Sequence, residues 1–131
     1  MTTPPDDEQL LVTARTVHAA LSAWCEANGK DAYPLWSEAP EWMRTSTLES
    51  VAFQRDNPDA SVSAQHDQWM EQKIGDGWRY GDSRDDDRRL HPMLVPYGDL
   101  PEFEQTKDAI LKAIVDAIYR TNASAPLSAR I

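Results

Sequence analysis

Between residues 75 and 101 the chain reads GDGWRYGDSRDDDRRLHPMLVPYGDLP, a stretch that holds four of the five glycines and three of the nine prolines. Proline lacks the N–H that a helix interior needs, and glycine loses the most backbone entropy there, so no long helix crosses this stretch. "GWRYG" and "LHPMLVPY" are each extended in character, which allows a small β-hairpin, with Pro92 and Pro96 confining it to a sheet edge. The run Asp82 to Arg89 between them reads as a solvated tip of mixed charge. Any helices therefore lie before and after this irregular connector.

Helical spacing is found on both sides of it. Leu10, Ala14, Val17, Leu21 and Trp24 recur every three or four residues and predict one face of a helix over about 7 to 28, stopped by Gly29. "DAYPLWSEAPEW" is a proline-punctuated aromatic connector, with a short helical turn expected near Pro40. Ser46 followed by Glu49 reads as a capping box, predicting a second helix from there to about Arg55 with Leu48, Val51 and Ala52 inward. "DNPDAS" breaks it. A third helix is expected over about 61 to 75, with His66, Trp69, Met70 and Lys73 on one face. Asp99 and Pro101 open a last helix, whose Phe103, Ile110, Leu111, Ile114, Val115 and Ile118 form a wide apolar stripe.

The expected fold is mainly α, about four helices with a short β-hairpin or an extended proline-rich segment. Residues 1–6 read as a disordered lead-in, 7–120 as a single domain and 121–131 as a loose tail. A chain of 131 residues supports one modest core.

The net charge of −9 argues against a general affinity for nucleic acid polymers or anionic membranes, although a local basic pocket can still bind a small anion. No apolar run reaches the length of a membrane span. The start "MTTPPDDEQL" lacks the basic, then apolar, pattern of a secretory signal. With Cys25 the one cysteine, no internal disulfide can form. These features together suggest a cytoplasmic protein.

No motif for chemistry is filled, and no enzyme is expected. The aspartates of "DSRDDDRR" lack the glycine and glutamate of a calcium loop, and His18, His66 and His91 lie far apart in sequence with no cysteine partner. No metal or cofactor is expected. Cys25 falls near an apolar face, where thiols are inert packing. The aromatics Trp36, Trp42, Trp69, Trp78, Tyr80 and Tyr97 lie in or beside connectors, and Arg44, Lys73, Arg79, Arg84, Arg88 and Arg89 are the cations within reach of them. Packing alone accounts for rings of this size. The sharper reading makes some of them the wall of a cleft with cations at its mouth.

Residues 66–101 closely resemble the RyR domain, the repeat named after the ryanodine receptors. The residues that carry the resemblance are His66, Trp69, Lys73–Ile74, Gly77–Trp78, Tyr80–Gly81, His91–Pro92, Leu94, Pro96–Tyr97 and Leu100–Pro101. The resemblance covers the last helix loosely and residues 1–60 not at all, though stand-alone prokaryotic and phage members are similar in size. It implies a mainly α-helical module with short extended segments. It also implies a sensor-like role, since prokaryotic members are proposed to bind nucleotide-derived signals and the channel repeats are associated with adenine nucleotides.

The resulting expectation is a non-catalytic ligand-binding domain for a nucleotide-like small molecule, serving as sensor or sequestering protein. Flat bases stack on aromatics, and cations recognise phosphate. The expected wall is Trp36, Trp69, Trp78, Tyr80 and Tyr97, with Lys73, Arg79 and Arg44 at the phosphates. The alternative is a protein-interaction module without a small ligand. Because one motif stands where the channels use a pair, a homodimer is also expected.

Overall fold

The computed structural model describes residues 4–120. Four α-helices dominate: α1 (Pro4–Ala27), α2 (Glu41–Asp56), α3 (Val62–Gly75) and α4 (Glu102–Tyr119). Single 3-10 turns at Trp36–Glu38 and Tyr97–Asp99 precede α2 and α4. The strands β1 (Arg79–Tyr80) and β2 (Leu90–His91) lie between α3 and α4. The mainly α expectation therefore holds, and no helix among the described residues is long and apolar enough to cross a membrane.

The helix bounds follow local chemistry, with two differences from expectation. Ser61 caps α3 by accepting the Ala64 N–H at 3.1 Å. α1 starts at Pro4 rather than residue 7, as proline is tolerated in a first helical turn. This shortens the expected lead-in to residues 1–3, which with the tail 121–131 fall outside the described residues. The capping-box reading of Ser46 is overturned. α2 is continuous from Glu41, and Ser46 is a buried mid-helix residue whose hydroxyl faces Gln72 Oε1 at 3.4 Å. Pro40 already starts the helix, so no second cap is needed.

The two strands do not form a hairpin. They pair in parallel, Arg79 with Leu90 and Tyr80 with His91. The chain reverses twice between them, because Asp85 and Leu90 exchange both backbone hydrogen bonds at 2.9 Å in an antiparallel bridge. Gly81 makes this possible, since a Cβ there would lie 2.7 Å from the Leu90 Cβ. Gly77, at φ 90°, turns the chain out of α3, a conformation that an L side chain resists.

The core is aliphatic and comes from three helices: Ala14 and Val17 of α1, Val51 of α2, and Leu111 and Val115 of α4. Trp24 stacks on Phe103 with centroids 5.7 Å apart and donates its indole N–H to the Phe103 carbonyl, which ties α1 to α4. Helix α3 contributes nothing to that cluster. Its buried residues are Gln65, His66 and Lys73, all polar.

Candidate functional site

The polar interior of α3 faces a second unusual helix face. Of the four buried residues of α2, Ser46, Ser50 and Gln54 are polar and Val51 alone is apolar. Polar groups on two facing helices do not close into a dry core, and a cavity of about 360 Å³ remains. That volume is within the range of small-molecule sites. Its floor includes Val17, Leu100 and Leu111 of the apolar interior, and its walls come from α2, α3, α4 and the loop that carries Arg84 and His91.

Lys73 is the decisive wall residue. It is 2% exposed, yet no carboxylate or carbonyl among the described residues pairs with its ammonium. Two indoles hold it instead, with Nζ 4.6 Å from the Trp42 ring centroid and 5.4 Å from that of Trp78. Burial pushes its pKa below the usual lysine value and Arg84 adds to the fall, with Asp76 opposing. The Arg84 guanidinium also lies over Trp42, at 4.8 Å, but it is tied to Asp86 at 2.8 Å. Lys107, a third cation of the cavity, pairs with Glu104 at 3.3 Å. Burial draws its pKa down, while Tyr33 and Glu104 together hold it above the ordinary value.

All three histidines line the cavity despite their separation in sequence. The rings of His18 and His66 place Nε2 2.7 Å from the carbonyls of Pro34 and Val95. A carbonyl only accepts, so Nε2 carries the proton in both, and in the neutral ring Nδ1 is left as an acceptor. His91 has the opposite arrangement. Its Nδ1 accepts the Met93 N–H at 3.1 Å, which leaves Nε2–H as a donor. Burial, then Arg84, Lys73 and Lys107, lower its pKa to about 4, so the ring is neutral at ordinary pH. Among the described residues, no three His, Cys, Asp or Glu side chains are grouped so as to hold a metal ion.

On α4, Glu104, Asp108 and Leu111 follow at spacings of four and three, so the carboxyl groups share the face that turns inward. Burial, with Glu104 adding, raises Asp108 from the usual carboxylate range to about 7, against the pull of Lys107. Asp108 makes no hydrogen bond or ion pair among the described residues, whereas Glu104 holds Lys107.

Of the eight residues expected from sequence to bind, Trp69 and Lys73 line the cavity. Trp69 stacks on His66 at 5.5 Å and meets His91 edge-on at 5.1 Å. Trp78 stands behind Lys73, and Tyr97 rests against the far side of His66 at 6.1 Å. Trp36 and Arg44 lie outside the lining, where the Arg44 guanidinium donates to the Trp36 carbonyl at 3.3 Å. Arg79 and Tyr80 on β1 are exposed, and the Tyr80 hydroxyl donates to Asp82 at 3.0 Å. Sequence reasoning named Trp42 and Arg84 as an aromatic and a cation within reach of a cleft, without assigning either to a site. It named His91 only as part of the signature, without assigning it to the site, and it missed Lys107 and Asp108 altogether. His91 was visible within the "HPMLVPY" signature, and Asp108 as a carboxyl spaced onto the apolar stripe of α4.

The ring network His66–Trp69–His91–Trp78 joins α3 to the glycine- and proline-rich loop. It is built from the same residues that carry the sequence signature. The family model of the RyR domain matches residues 54–121, just over half of the chain, and the chain belongs to that family.

Proposed function

We propose that this protein is a non-catalytic binding domain for a nucleotide-like small anion, acting as a sensor or as a protein that sequesters a signal. The observation that carries the reading is Lys73. An ammonium taken out of water without an ionic partner costs several kcal/mol, and packing alone gives no reason to keep it. A phosphate entering the cavity supplies the missing partner. Arg84 and His91 line the same cavity, and the Trp42 and Trp69 rings that also line it are the aromatic surfaces a base would meet. A net charge of −9 repels anions at long range, so capture depends on this local cluster.

The test is a thermal-shift screen of the wild type and Lys73→Met against mono-, di- and cyclic nucleotides, followed by calorimetry on any compound that shifts the melt. Methionine keeps the bulk and drops the charge. Without ligand, the variant is expected to be at least as stable as the wild type. Its affinity for the anion is expected to fall by about 1.5–3 kcal/mol, the worth of a charge-assisted hydrogen bond. If no compound shifts the wild type, the reading is lost and a protein-interaction module becomes the better account.

A further inference from the structure

Helix α3 brings a row of three residues to the cavity, Gln65, Trp69 and Lys73, spaced at four and eight along one face. Lys73 ends the row with an ammonium that has no ionic partner. The opposite end is unpartnered as well, and it is neutral. Gln65 is 1% exposed, and its buried Oε1 meets no donor among the described residues. Two further groups that hydrogen bond without carrying charge line the same cavity: Ser50 of α2, also buried, and His66, whose Nδ1 is left as an acceptor. The rise of an α-helix separates Gln65 from Lys73 by about 12 Å along the axis, so no single small ion meets both.

A buried carboxamide oxygen without a donor carries its desolvation cost, which an apolar residue of the same size would avoid. The cost is accounted for if a ligand supplies the partner. We infer that Gln65 is a specificity-determining residue that hydrogen bonds a hydroxyl group on the part of the ligand remote from its anionic group. The ligand class is then a phosphate ester whose far end is hydroxylated, the chemistry of a sugar phosphate. A hydroxyl suits the site for two reasons. It donates to an amide oxygen and accepts from an amide N–H, so it pairs with the carboxamide whichever way the amide is turned. It also reproduces what water does at Gln65, Ser50 and His66, and a ligand that displaces water without replacing its hydrogen bonds loses affinity. This rests on the anion-binding reading above and adds a second contact to it.

Calorimetry with ribose 5-phosphate and n-pentyl phosphate tests the inference on the wild type, Gln65→Leu and Lys73→Met. Both compounds carry five carbons and the same anionic group, and only the first has hydroxyls. The wild type is expected to bind ribose 5-phosphate about tenfold or more tightly than pentyl phosphate, because a site that pairs with a hydroxyl rejects the analogue lacking it. In Gln65→Leu that gap closes to about twofold or reverses, since leucine leaves no polar atom for an apolar chain to desolvate. Lys73→Met weakens both compounds alike and leaves their ratio unchanged. If Gln65→Leu does not fold, as judged by its urea melt, Gln65→Met is read in its place, with the same closing of the gap expected. Equal binding of the two compounds by the wild type overturns the role of Gln65 and leaves the anion site standing. So does a gap that persists in the Gln65 variant. If neither compound binds the wild type, this inference falls, and the nucleotide screen above decides separately whether the anion reading falls with it.

Discussion

The packing of α1 on α4 and the packing of α2 on α3 differ in kind. α1 and α4 meet mainly through Ala14, Val17, Leu111 and Val115, apolar side chains at helical spacing, although α1 also buries Thr13 and His18. α2 and α3 bury Ser46, Ser50, Gln54, Gln65, His66 and Lys73. Apolar burial is non-directional, and it stabilises the first pair whatever else the chain does. The second pair has little of it. Rings and hydrogen bonds from the loop hold it: Trp78 and Trp42 around Lys73, and His66 fixed by the Val95 carbonyl. An interface that keeps polar groups and a cavity gives up stability that an apolar seam would supply.

The largest expected effect comes from removing the ring that replaces a core on the second side. Trp78 is 5% exposed, 5.6 Å from Trp42 and 6.1 Å from His91, and it backs Lys73. Trp78→Ala is expected to lower stability in urea melts by about 3–5 kcal/mol, the range for a buried large aromatic. A loss below about 1 kcal/mol would show that the α2–α3 side stands without its rings, and the contrast drawn above would fail.

The same difference explains what was legible in the sequence. Periodicity located α1, α3 and α4 because their apolar or motif faces repeat at helical spacing. It misplaced the start of α2, since Ser46 and Glu49 look like a cap when the buried role of a polar side chain is invisible. The strand pairing was unreadable for a related reason: a reversal at Asp85 depends on Gly81 admitting Leu90, a contact that no local pattern encodes. The family signature marked Trp69, Lys73 and His91 but says nothing of how α4 crosses them. Asp108 and Lys107 reach the cavity only through that crossing, so a list built around the signature's aromatics took in Tyr80 and the neighbouring cation Arg79, which are exposed.

A smaller effect is expected from the unpaired carboxyl. Asp108 holds its proton up to about pH 7 in the folded chain and releases it near pH 4 when unfolded. The folded state therefore binds more protons between those values, and stability from this group falls as pH rises through the window. His91 works in the opposite direction. Its folded value of about 4 is below the usual histidine value of 6.5, so the unfolded chain binds more protons and stability falls as pH drops from about 6.5 to 4. The two can be separated with Asp108→Asn, which leaves His91 untouched. The variant is expected to match the wild type at pH 4 and to exceed it at pH 8 by on the order of 2 kcal/mol. Equal stability at pH 8 would mean that Asp108 is well solvated or paired, and its place as an orphan of the cavity would be lost.

The smallest effect concerns Gln65, and its sign matters more than its size. The residue is 1% exposed, lines the cavity, and its Oε1 meets no donor among the described residues. A buried acceptor without a donor carries its desolvation cost uncompensated. Leucine has nearly the same volume and no such cost. If the α2–α3 side were ordinary core, replacing a buried polar residue there would break a hydrogen bond and cost about 1–3 kcal/mol. Because no such bond exists, Gln65→Leu is expected to leave stability unchanged or to raise it by up to about 1 kcal/mol in urea melts, with the slope of the transition unaltered. A clear loss would show that the carboxamide is satisfied in solution by water or by its neighbours, and that α2 and α3 pack more like α1 and α4 than their buried residues indicate. A gain would place Gln65 with Lys73 and Asp108 as a polar group that folding alone does not require.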